Sequence, residues 1–477
     1  MNFITPSFLV FFVFALSLCR LTGNDRKRRI PALIACNLVF YSFAGIRALA
    51  VLLAVAFLAW GTGSAISRGL PKFVKKILAV LSAAILVAIL FFFKYYELFV
   101  LGLDNLIRAS GGPGVPEAVL EADIVYVAGI SFFSFQAIAY VADIYREKSK
   151  AYSLPEVLAY ISFFPTIMSG PIMRPGDFFP QKNLRKEKDG AAADAAVLIL
   201  SGLFKKVVLS SYLSEHIVKG VFAAPGEYTS LAVLIGVYGY SMQIFCDFSG
   251  YTDLARGIGR LMGYQLPENF QSPYLSLSPQ EFWRRWHMTL SFWLRDYVYI
   301  TAGGSRTGNV YFNLWLTMAV GGLWHGSDLS FLIWGCMHGV LNALHRVWIK
   351  HIKPRFFKPA EIKHPSPGYV FLAWFLTFHA ITLLWIPFRA DNMESAHAVM
   401  SRLLDFSGCG EGFPWFCLVV IALGMIVQII GPSLYKISVI SLKRVPAVLL
   451  GLLLGAGAAA IMEMGPDGVL PFIYFGF

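Results

Sequence analysis

Apolar stretches about as long as a bilayer is thick follow one another along almost the whole chain of 477 residues. A helix that spans a membrane needs ~20 mostly apolar residues. Eleven stretches approach this size, namely 5–22, 31–62, 77–102, 124–142, 195–219, 229–247, 310–325, 328–348, 368–388, 413–432 and 446–463. The stretch 31–62 is long enough to cross twice as a hairpin. The pattern predicts an all-α, polytopic integral membrane protein with about 11–12 transmembrane helices.

The composition excludes a soluble protein. Only 14% of the residues are charged and 57% are hydrophobic, whereas soluble domains carry ~25% charged residues. The formal net charge is +12, but the basic residues lie in short loops between apolar stretches. Such loops indicate membrane topology and contact with anionic lipid. We therefore expect membrane lipid as a partner and no nucleic acid.

The basic loops also predict orientation, because lysine and arginine concentrate on the cytoplasmic side. The loop 103–123 holds four acidic residues against Arg108 alone, and 390–412 is also more acidic than basic, so both should face outward. The first stretch is followed, not preceded, by positive charge, which is the reverse of a signal peptide and favours a retained helix that starts outside. The loops expected in the cytoplasm are 25–29, 68–76, 146–150 and 182–188.

The apolar region 155–175 is broken by three prolines and a glycine-proline pair. Broken backbone at membrane depth must be buried in protein or line water, so a re-entrant or interfacial segment is expected there. The polar insertions near 176–192 and 350–366 are too short to fold alone. We therefore expect one transmembrane domain over residues 1–477.

The six cysteines form no CxxC pair and no Cys/His spacing typical of a metal site. Most lie in apolar stretches, where cysteine acts as a small hydrophobic residue. We expect no disulfide framework, no metal and no bound cofactor.

His325 lies in the run Gly321–Gly326, inside apolar sequence. An ionisable group at membrane depth is costly and is a functional candidate by default, and the glycines leave room for another backbone or a ligand. A packed core histidine bonded to a carbonyl is about equally compatible with this pattern. Three other histidines lie in or near the apolar helices. We expect His338 either to support His325 or to be merely packed, and packing is favoured. We expect His345 to be interfacial and His379 to be a buried polar residue without a visible partner.

Residues 281–297 have the periodicity of an amphipathic helix. This helix either lies at the interface with its tryptophans among lipid headgroups or presents arginines to the phosphates of an acyl carrier. Both can hold. One face of this helix carries Arg284, His287 and Ser291. Another face carries Trp286, Leu290, Trp293 and Tyr297.

The segment 246–260 is interpreted as scaffold. Asp253 and Arg256 stand three residues apart on a short helix, which favours a structural ion pair. The glycines at 250, 257, 259 and 263 permit close helix contact. The match to a phosphate-binding loop is poor, because no strand-like segment precedes it.

The chain contains no GxSxG, SxxK or HExxH motif. A covalent serine mechanism therefore lacks support. A neutral histidine that acts as general base on an acceptor hydroxyl is the simplest chemistry available.

Several runs together resemble the membrane-bound O-acyltransferase (MBOAT) family, and within it the bacterial branch that O-acetylates alginate. The likeness extends nearly end to end and depends on the order and spacing of the motifs. The runs are Phe282–Ser291, Gly322–Gly326, Trp334–Gly339, Asp247–Asp253, Phe163–Pro165 with Ser169–Ile172, and Phe472–Phe475.

The resemblance implies a helical ring around a central funnel, with a core motif region at about 240–345. It assigns catalysis to His325, which would activate an acceptor hydroxyl, and to His287, which would bind or orient the acyl donor near the cytoplasmic entrance. The donor would be acetyl-CoA or another acyl thioester. The further donor-binding candidates are Arg284, Arg285, Ser291, Arg295 and Trp324.

The implied function is transfer of an acetyl group across the bacterial inner membrane for O-acetylation of an exported polysaccharide such as alginate or cellulose. The implied partners are a periplasmic or membrane-anchored SGNH hydrolase-like acetyltransferase and a polysaccharide synthase or export complex. D-alanyl transfer from a carrier protein to teichoic acid is the alternative within the family. Two alternatives from other classes are a glycan or acyl transporter with His325 as a gating or proton-relay group, and a purely structural subunit.

Overall fold

The computed structural model describes residues 3–23, 25–182, 190–358, 364–406, 415–466 and Phe472. All regular secondary structure over these residues is helical, as predicted. The chain forms two compact units, one made of Met1–Lys188 with Ile258–Pro267 and the other of Asp189–Gly257 with Glu268–Phe477. One transmembrane domain over residues 1–477 stays a prediction.

Within the described residues, the first unit contains nine α-helices and the 3₁₀ helix Phe179–Lys182. It also contains the last turn of a helix that begins in the second unit. Capping explains where the early helices begin: the Thr5 side chain accepts from the Phe8 amide, and the Asp25 side chain accepts from the Lys27 amide. The helices are α1 Pro6–Leu21, α2 Arg26–Ser42, α3 Ile46–Ile66, α4 Lys72–Ala109, α5 Glu117–Leu120, α6 Ile130–Tyr145, α7 Leu154–Ile161, α8 Phe164–Ile167 and α9 Pro175–Phe178.

The proline-broken region 155–175 forms the short helices α7, α8 and α9, each with proline in its first turn. Its breaks are buried in protein: Phe163, Phe164 and Ser169 are fully buried. Gly129 packs so closely that a Cβ there would lie 2.2 Å from the Ile167 carbonyl oxygen. The prediction of a broken segment is confirmed, and its re-entrant placement in a membrane stays a prediction.

The second unit holds the remaining described helices, several of which continue into π-helical turns. The helices are α10 Ala191–Leu203, α11 Ser211–Leu213, α12 Lys219–Ala223, α13 Ser230–Leu261, α14 Pro279–Arg285, α15 Met288–Leu294, α16 Val310–His325, α17 Leu329–Val347, α18 Lys353–Phe356, α19 Pro367–Arg389, α20 Met393–Leu404, α21 Trp415–Leu442 and α22 Ala447–Glu463. The π-helical turns are Phe204–Ser210, Ser214–Val218, Arg295–Tyr299 and Trp348–Ile352.

Five described helices are long and apolar enough to cross a membrane, namely α3, α4, α13, α19 and α21. Three shorter apolar helices are α1, α6 and α22. Only 17% of the most apolar window of α4 is buried inside the protein, so its side chains face outward as those of a lipid-contacting helix do. Each of the eleven predicted stretches is helical over most of its described residues, and 31–62 forms the two helices α2 and α3. The chain is a multi-pass membrane protein.

Helix α13 packs closely against α10 through glycine. A Cβ on Gly250 would lie 2.8 Å from the Gly202 carbonyl oxygen, which confirms the predicted close helix contact. The predicted Asp253–Arg256 ion pair forms at 3.3 Å, but Asp253 also accepts from Lys205 at 2.6 Å. The pairing with Lys205 was not predicted, because the two residues are distant in sequence.

A second buried pair joins the same region. Lys206 and Asp247 form an ion pair with 1% and 3% of their side chains exposed. Removing one partner of such a pair leaves a charge in a poorly solvated place. Together, the ion pairs Lys205–Asp253 and Lys206–Asp247 hold α13 against the π-helical turn Phe204–Ser210, which follows α10.

Helices α16 and α17 form an antiparallel hairpin whose two backbones nearly touch. A Cβ on Gly322 would lie 2.3 Å from the Phe331 carbonyl oxygen, and one on Gly335 would lie 2.5 Å from the Met318 carbonyl oxygen. Asp328 caps α17 by accepting from the Ser330 amide at 2.7 Å. The hairpin therefore places the last residue of α16, His325, against the first turns of α17.

Candidate functional site

The segment 281–297 is not one helix. Helix α14 ends at Arg285 and α15 begins at Met288, because His287 between them is left-handed, with φ 40° and ψ 53°. The prediction of one continuous amphipathic helix is wrong, and Arg284, His287 and Ser291 do not share one helical face. Periodicity could not reveal the break, because contacts from a distant loop hold it.

Asn269 holds this break from 18 residues upstream. Its carbonyl oxygen accepts from the Met288 amide at 3.0 Å. Its side-chain Oδ1 accepts from the Thr289 amide at 3.1 Å and from the Thr289 hydroxyl at 3.0 Å. A left-handed residue other than glycine costs ~1–2 kcal/mol, and such strain persists where surrounding contacts overdetermine it. It therefore marks His287 as a position that the fold specifies.

The hydrogen bond of His287 determines its tautomer. Its Nδ1 lies 3.2 Å from Asn269 Oδ1, and a carbonyl oxygen can only accept. The proton is therefore on Nδ1, and Nε2 carries a lone pair. Within the described part of the chain, this buried Nε2 has no hydrogen-bond partner.

His287 is also neutral. Its side chain is fully buried, and burial lowers its pKa to about 3, opposed by a smaller effect of a backbone hydrogen bond. An imidazole with a free lone pair at neutral pH is chemically a base or a hydrogen-bond acceptor.

His325 is 4% exposed and stands in an aromatic cage. Its ring centroid lies 4.9 Å from that of Trp324, 5.1 Å from that of Trp334 and 5.1 Å from that of Phe388. All three rings meet it nearly edge to face. The next residue is glycine, and no larger residue fits there, because a Cβ on Gly326 would lie 2.2 Å from the Phe331 ring. The cage excludes bulk water from the imidazole and fixes its orientation.

Trp324 connects the two predicted catalytic histidines. Its ring centroid lies 5.8 Å from that of His287 and 4.9 Å from that of His325, and it is 5% exposed. The structure thus brings together three of the predicted site residues around one buried indole.

The two predicted arginines of α14 lie nearer the surface. Arg284 is exposed. Arg285 pairs with Glu281 at 2.7 Å, one helical turn away, with 34% of its side chain exposed. Their role in donor binding stays a prediction.

The remaining two candidates have neighbours in sequence as partners. The Ser291 hydroxyl donates to the Trp286 carbonyl oxygen at 3.2 Å. Arg295 pairs with Asp296 at 2.7 Å and lies 5.0 Å over the Phe292 ring. Donor binding by Ser291 and Arg295 also stays a prediction.

His338 has a polar partner inside the protein. It is fully buried, its Nδ1 accepts from the Trp283 indole at 3.3 Å, and its ring lies 4.8 Å from that of Trp334. Trp334 in turn contacts His325. Both predicted alternatives, support of His325 and packing alone, are compatible with these contacts. The prediction that His379 is buried without a partner is wrong, because it is half-buried and its Nε2 lies 2.8 Å from the Tyr238 hydroxyl.

Asn269, Trp283, Trp334 and Phe388 were not identified as site residues from the sequence. Asn269 lies in an irregular segment, where periodicity carries no signal. Trp334 was part of a recognised run, but apolar helices commonly carry tryptophan for packing alone. Among the described residues, no group of three or more His, Cys, Asp or Glu side chains is placed to hold a metal ion.

The chain matches known proteins over most of its length. It is 34% identical to the probable alginate O-acetylase of Pseudomonas aeruginosa over 388 residues. This aligned region covers 80% of this chain and 71% of that protein. It is 32% identical to the peptidoglycan O-acetyltransferase of Helicobacter pylori, over 79% of this chain and 74% of that protein. The teichoic acid D-alanyltransferase of Bacillus subtilis is 31% identical over 58% of this chain and 71% of that protein.

The sequence profile of the MBOAT family, described as the membrane-bound O-acyltransferase family, matches residues 37–386. This range includes Asn269, His287 and His325, together with Trp324 and Trp334, two of the three rings that cage His325. The chain therefore belongs to the membrane-bound O-acyltransferase family and is an acyltransferase.

Proposed function

We propose that this protein transfers an acetyl group from a cytoplasmic thioester, acetyl-CoA, across the bacterial inner membrane for O-acetylation of an exported polysaccharide such as alginate or cellulose. The observation that carries the proposal is the pair of buried histidines in contact with Trp324, one of which has a fixed, unpartnered lone pair among the described residues. The similarity to O-acetylases over about four fifths of the chain supports acetyl as the group transferred.

In this proposal His325 takes the proton of the acceptor hydroxyl as that oxygen attacks the thioester carbonyl carbon. The carbon–sulfur bond then breaks, and the departing thiolate receives the proton from the imidazolium. The step needs no other reactant, since one ester forms and one thiol is released. A positioned general base contributes ~10²–10⁴-fold to such a step.

His287 orients the acyl donor. Its Nε2 accepts one hydrogen bond from the acyl donor. The hydrogen bond from Nδ1 to Asn269 Oδ1 keeps Nε2 deprotonated and fixes the direction of its lone pair. The fully buried position strengthens a hydrogen bond made there, because little water competes for it.

The reaction is completed outside the membrane by a second protein. We infer that the immediate acceptor is a hydroxyl on a periplasmic or membrane-anchored SGNH hydrolase-like acetyltransferase, which passes the acetyl group to the polysaccharide beside a synthase or export complex. The basic loops expected in the cytoplasm support entry of the anionic donor from that side.

The test is thiol release from acetyl-CoA by the purified protein in detergent with its acceptor protein present. We expect His325→Gln to lower the rate by at least ~100-fold, and His287→Asn to lower it as well. Asn suits position 287 because it tolerates the left-handed conformation better than most residues.

His397→Gln is the matched control, since His397 is exposed on α20 in the described structure, and it should leave the rate unchanged. Full thiol release by His325→Gln would refute the assignment of the base. Thiol release that persists in His325→Gln while transport of the acyl group is lost would favour a transporter.

D-alanyl transfer is the second candidate, favoured by the similarity to teichoic acid D-alanyltransferases. That similarity covers a smaller share of this chain than the similarity to O-acetylases does. Turnover of a D-alanyl carrier protein, with none of acetyl-CoA, would establish it in place of acetylation.

A further inference from the structure

Helix α17 carries three buried polar side chains at intervals of four residues, so that they lie on one face. Ser330 and His338 are fully buried, and Trp334 is 1% exposed. Ser330 Oγ, Trp334 Nε1 and His338 Nε2 have no hydrogen-bond partner within the described residues. We call these three residues the α17 row.

In two members of the α17 row, the nitrogen without a partner can only donate a hydrogen bond. The indole nitrogen of Trp334 always carries its hydrogen. His338 receives the Trp283 indole N–H on Nδ1 at 3.3 Å, so its proton is on Nε2. This tautomer is opposite to that of His287, whose Nε2 carries the lone pair.

Buried donors of this kind are expensive to leave unpaired, since each costs ~1–3 kcal/mol. A series of them on one face indicates a surface that binds oxygen atoms. The row is ~12 Å long, given a rise of ~1.5 Å per residue, which is too long for a single carbonyl group.

The α17 row adjoins the proposed catalytic base. The Trp334 ring lies 5.1 Å from that of His325 and 4.8 Å from that of His338. A ligand that accepts hydrogen bonds from the α17 row therefore has one of its ends beside the imidazole of His325.

We propose that the α17 row binds the amide-bearing arm through which an acyl thioester is attached to coenzyme A or to a carrier protein. This inference rests on the proposed function. The carbonyl oxygens of the arm accept the hydrogen bonds that Trp334 and His338 donate, and they succeed one another at a spacing comparable to one helical turn. Acceptor hydroxyl groups fit less well, because they also donate and would need acceptors opposite them.

The test compares two donors that share the same acetyl thioester: acetyl-pantetheine, which has the amides, and S-acetyl-2-mercaptoethanol, which lacks them. The readout is kcat/KM for thiol release with the acceptor protein saturating. Ser330→Ala removes one polar group with little change of shape. We expect it to lower kcat/KM for acetyl-pantetheine by about 3- to 10-fold and to leave that for S-acetyl-2-mercaptoethanol unchanged. Trp334→Phe also alters the cage of His325, so it should lower kcat/KM for both donors, and that for acetyl-pantetheine by a further factor of about 3 to 10.

His338→Gln supplies a rescue variant, since its amide again offers an N–H donor, and it should lose less on acetyl-pantetheine than His338→Phe. Trp374→Phe is the control, because that indole N–H already donates to the Tyr274 carbonyl oxygen at 2.9 Å. It should not change the preference between the two donors.

Equal loss on both donors would overturn the proposal, because the row would then act on the reacting centre or on the fold. A rise in the KM of the acceptor protein with unchanged donor kinetics would overturn it in favour of an acceptor site. If the wild-type protein turns over neither these thioesters nor acetyl-CoA, the proposed function itself fails, a result visible before any variant of the row is made.

Discussion

At the scale of single residues, the site is defined by which nitrogen of each histidine carries the proton. Asn269 Oδ1 holds the proton of His287 on Nδ1, and the Trp283 indole holds that of His338 on Nε2. Two rings of the same composition are thereby made an acceptor and a donor. The local sequence around each histidine does not encode this difference, because each partner comes from another segment.

The burial of His287 predicts a pH-dependent stability. Its pKa is lowered to about 3 in the folded protein by burial, whereas an unfolded histidine titrates near ~6.5. As the pH falls below ~6.5, the unfolded chain binds a proton that the folded chain does not, so this contribution to stability is lost progressively towards pH ~3. The loss is at most ~1.4 kcal/mol per pH unit.

This effect can be measured by thermal unfolding in detergent at about pH 7.5 and about pH 5. The wild-type protein should lose more stability over this interval than His287→Asn, whose side chain does not titrate. An identical loss in both proteins would mean that His287 is protonated in the folded state.

At the scale of elements, the α16–α17 hairpin decides where the site residues meet. The apolar pattern predicted both helices, and the bounds of α16 agree with the predicted stretch 310–325. The pattern does not predict how closely they approach. That distance depends on Gly322 and Gly335, which let two backbones touch.

Gly335→Ala should therefore destabilise the protein and lower its activity. The added methyl would lie 2.5 Å from the Met318 carbonyl oxygen and 2.9 Å from the Gly322 Cα. Backbone cannot yield as a flexible side chain does, and such overpacking costs ~1–3 kcal/mol. The helices must therefore move apart at Gly335. This movement displaces Trp334, the preceding residue, and with it the cage of His325.

Gly102→Ala is the matched control, since the added methyl on α4 would meet nothing within 4 Å. There the better helix propensity of alanine should leave stability unchanged or raise it by up to ~1 kcal/mol. Melting temperature and thiol release, measured together, check both variants. Equal behaviour of the two would show that the hairpin tolerates a wider spacing.

At the scale of the whole molecule, the surface is adapted to lipid. Large apolar side chains such as Phe73, Leu106 and Phe371 are more than half exposed, which a protein surrounded by water rarely allows in such numbers. Such exposed apolar side chains are what a surface in contact with lipid requires.

Helix α4 provides a test of membrane orientation. Its 38 residues extend ~57 Å at a rise of ~1.5 Å per residue, longer than the ~30 Å hydrocarbon core, so its two ends should emerge on opposite sides. In a background without native cysteines, Ser110→Cys should react with a membrane-impermeant maleimide on spheroplasts. Lys72→Cys should react only after permeabilisation, because its loop is basic. The reverse pattern would invert the predicted orientation.

The sequence by itself determined the helical, membrane-embedded character of the chain, because hydrophobic length is a local property that needs no knowledge of tertiary contacts. The resemblance of its motifs to the family made His325, His287 and Trp324 site candidates, and their roles stay predictions. Periodicity failed at 281–297, because Asn269 holds a left-handed residue where a regular helix was expected.

Only the tertiary structure decided the chemistry of the site. It brought Asn269 to His287, Trp283 to His338, and the rings of Trp334 and Phe388 to His325. Protonation state, strain and burial depend on these contacts between segments far apart in the chain. The apolar pattern specifies which residues leave water, and the packing of those residues specifies what the few polar groups among them can do.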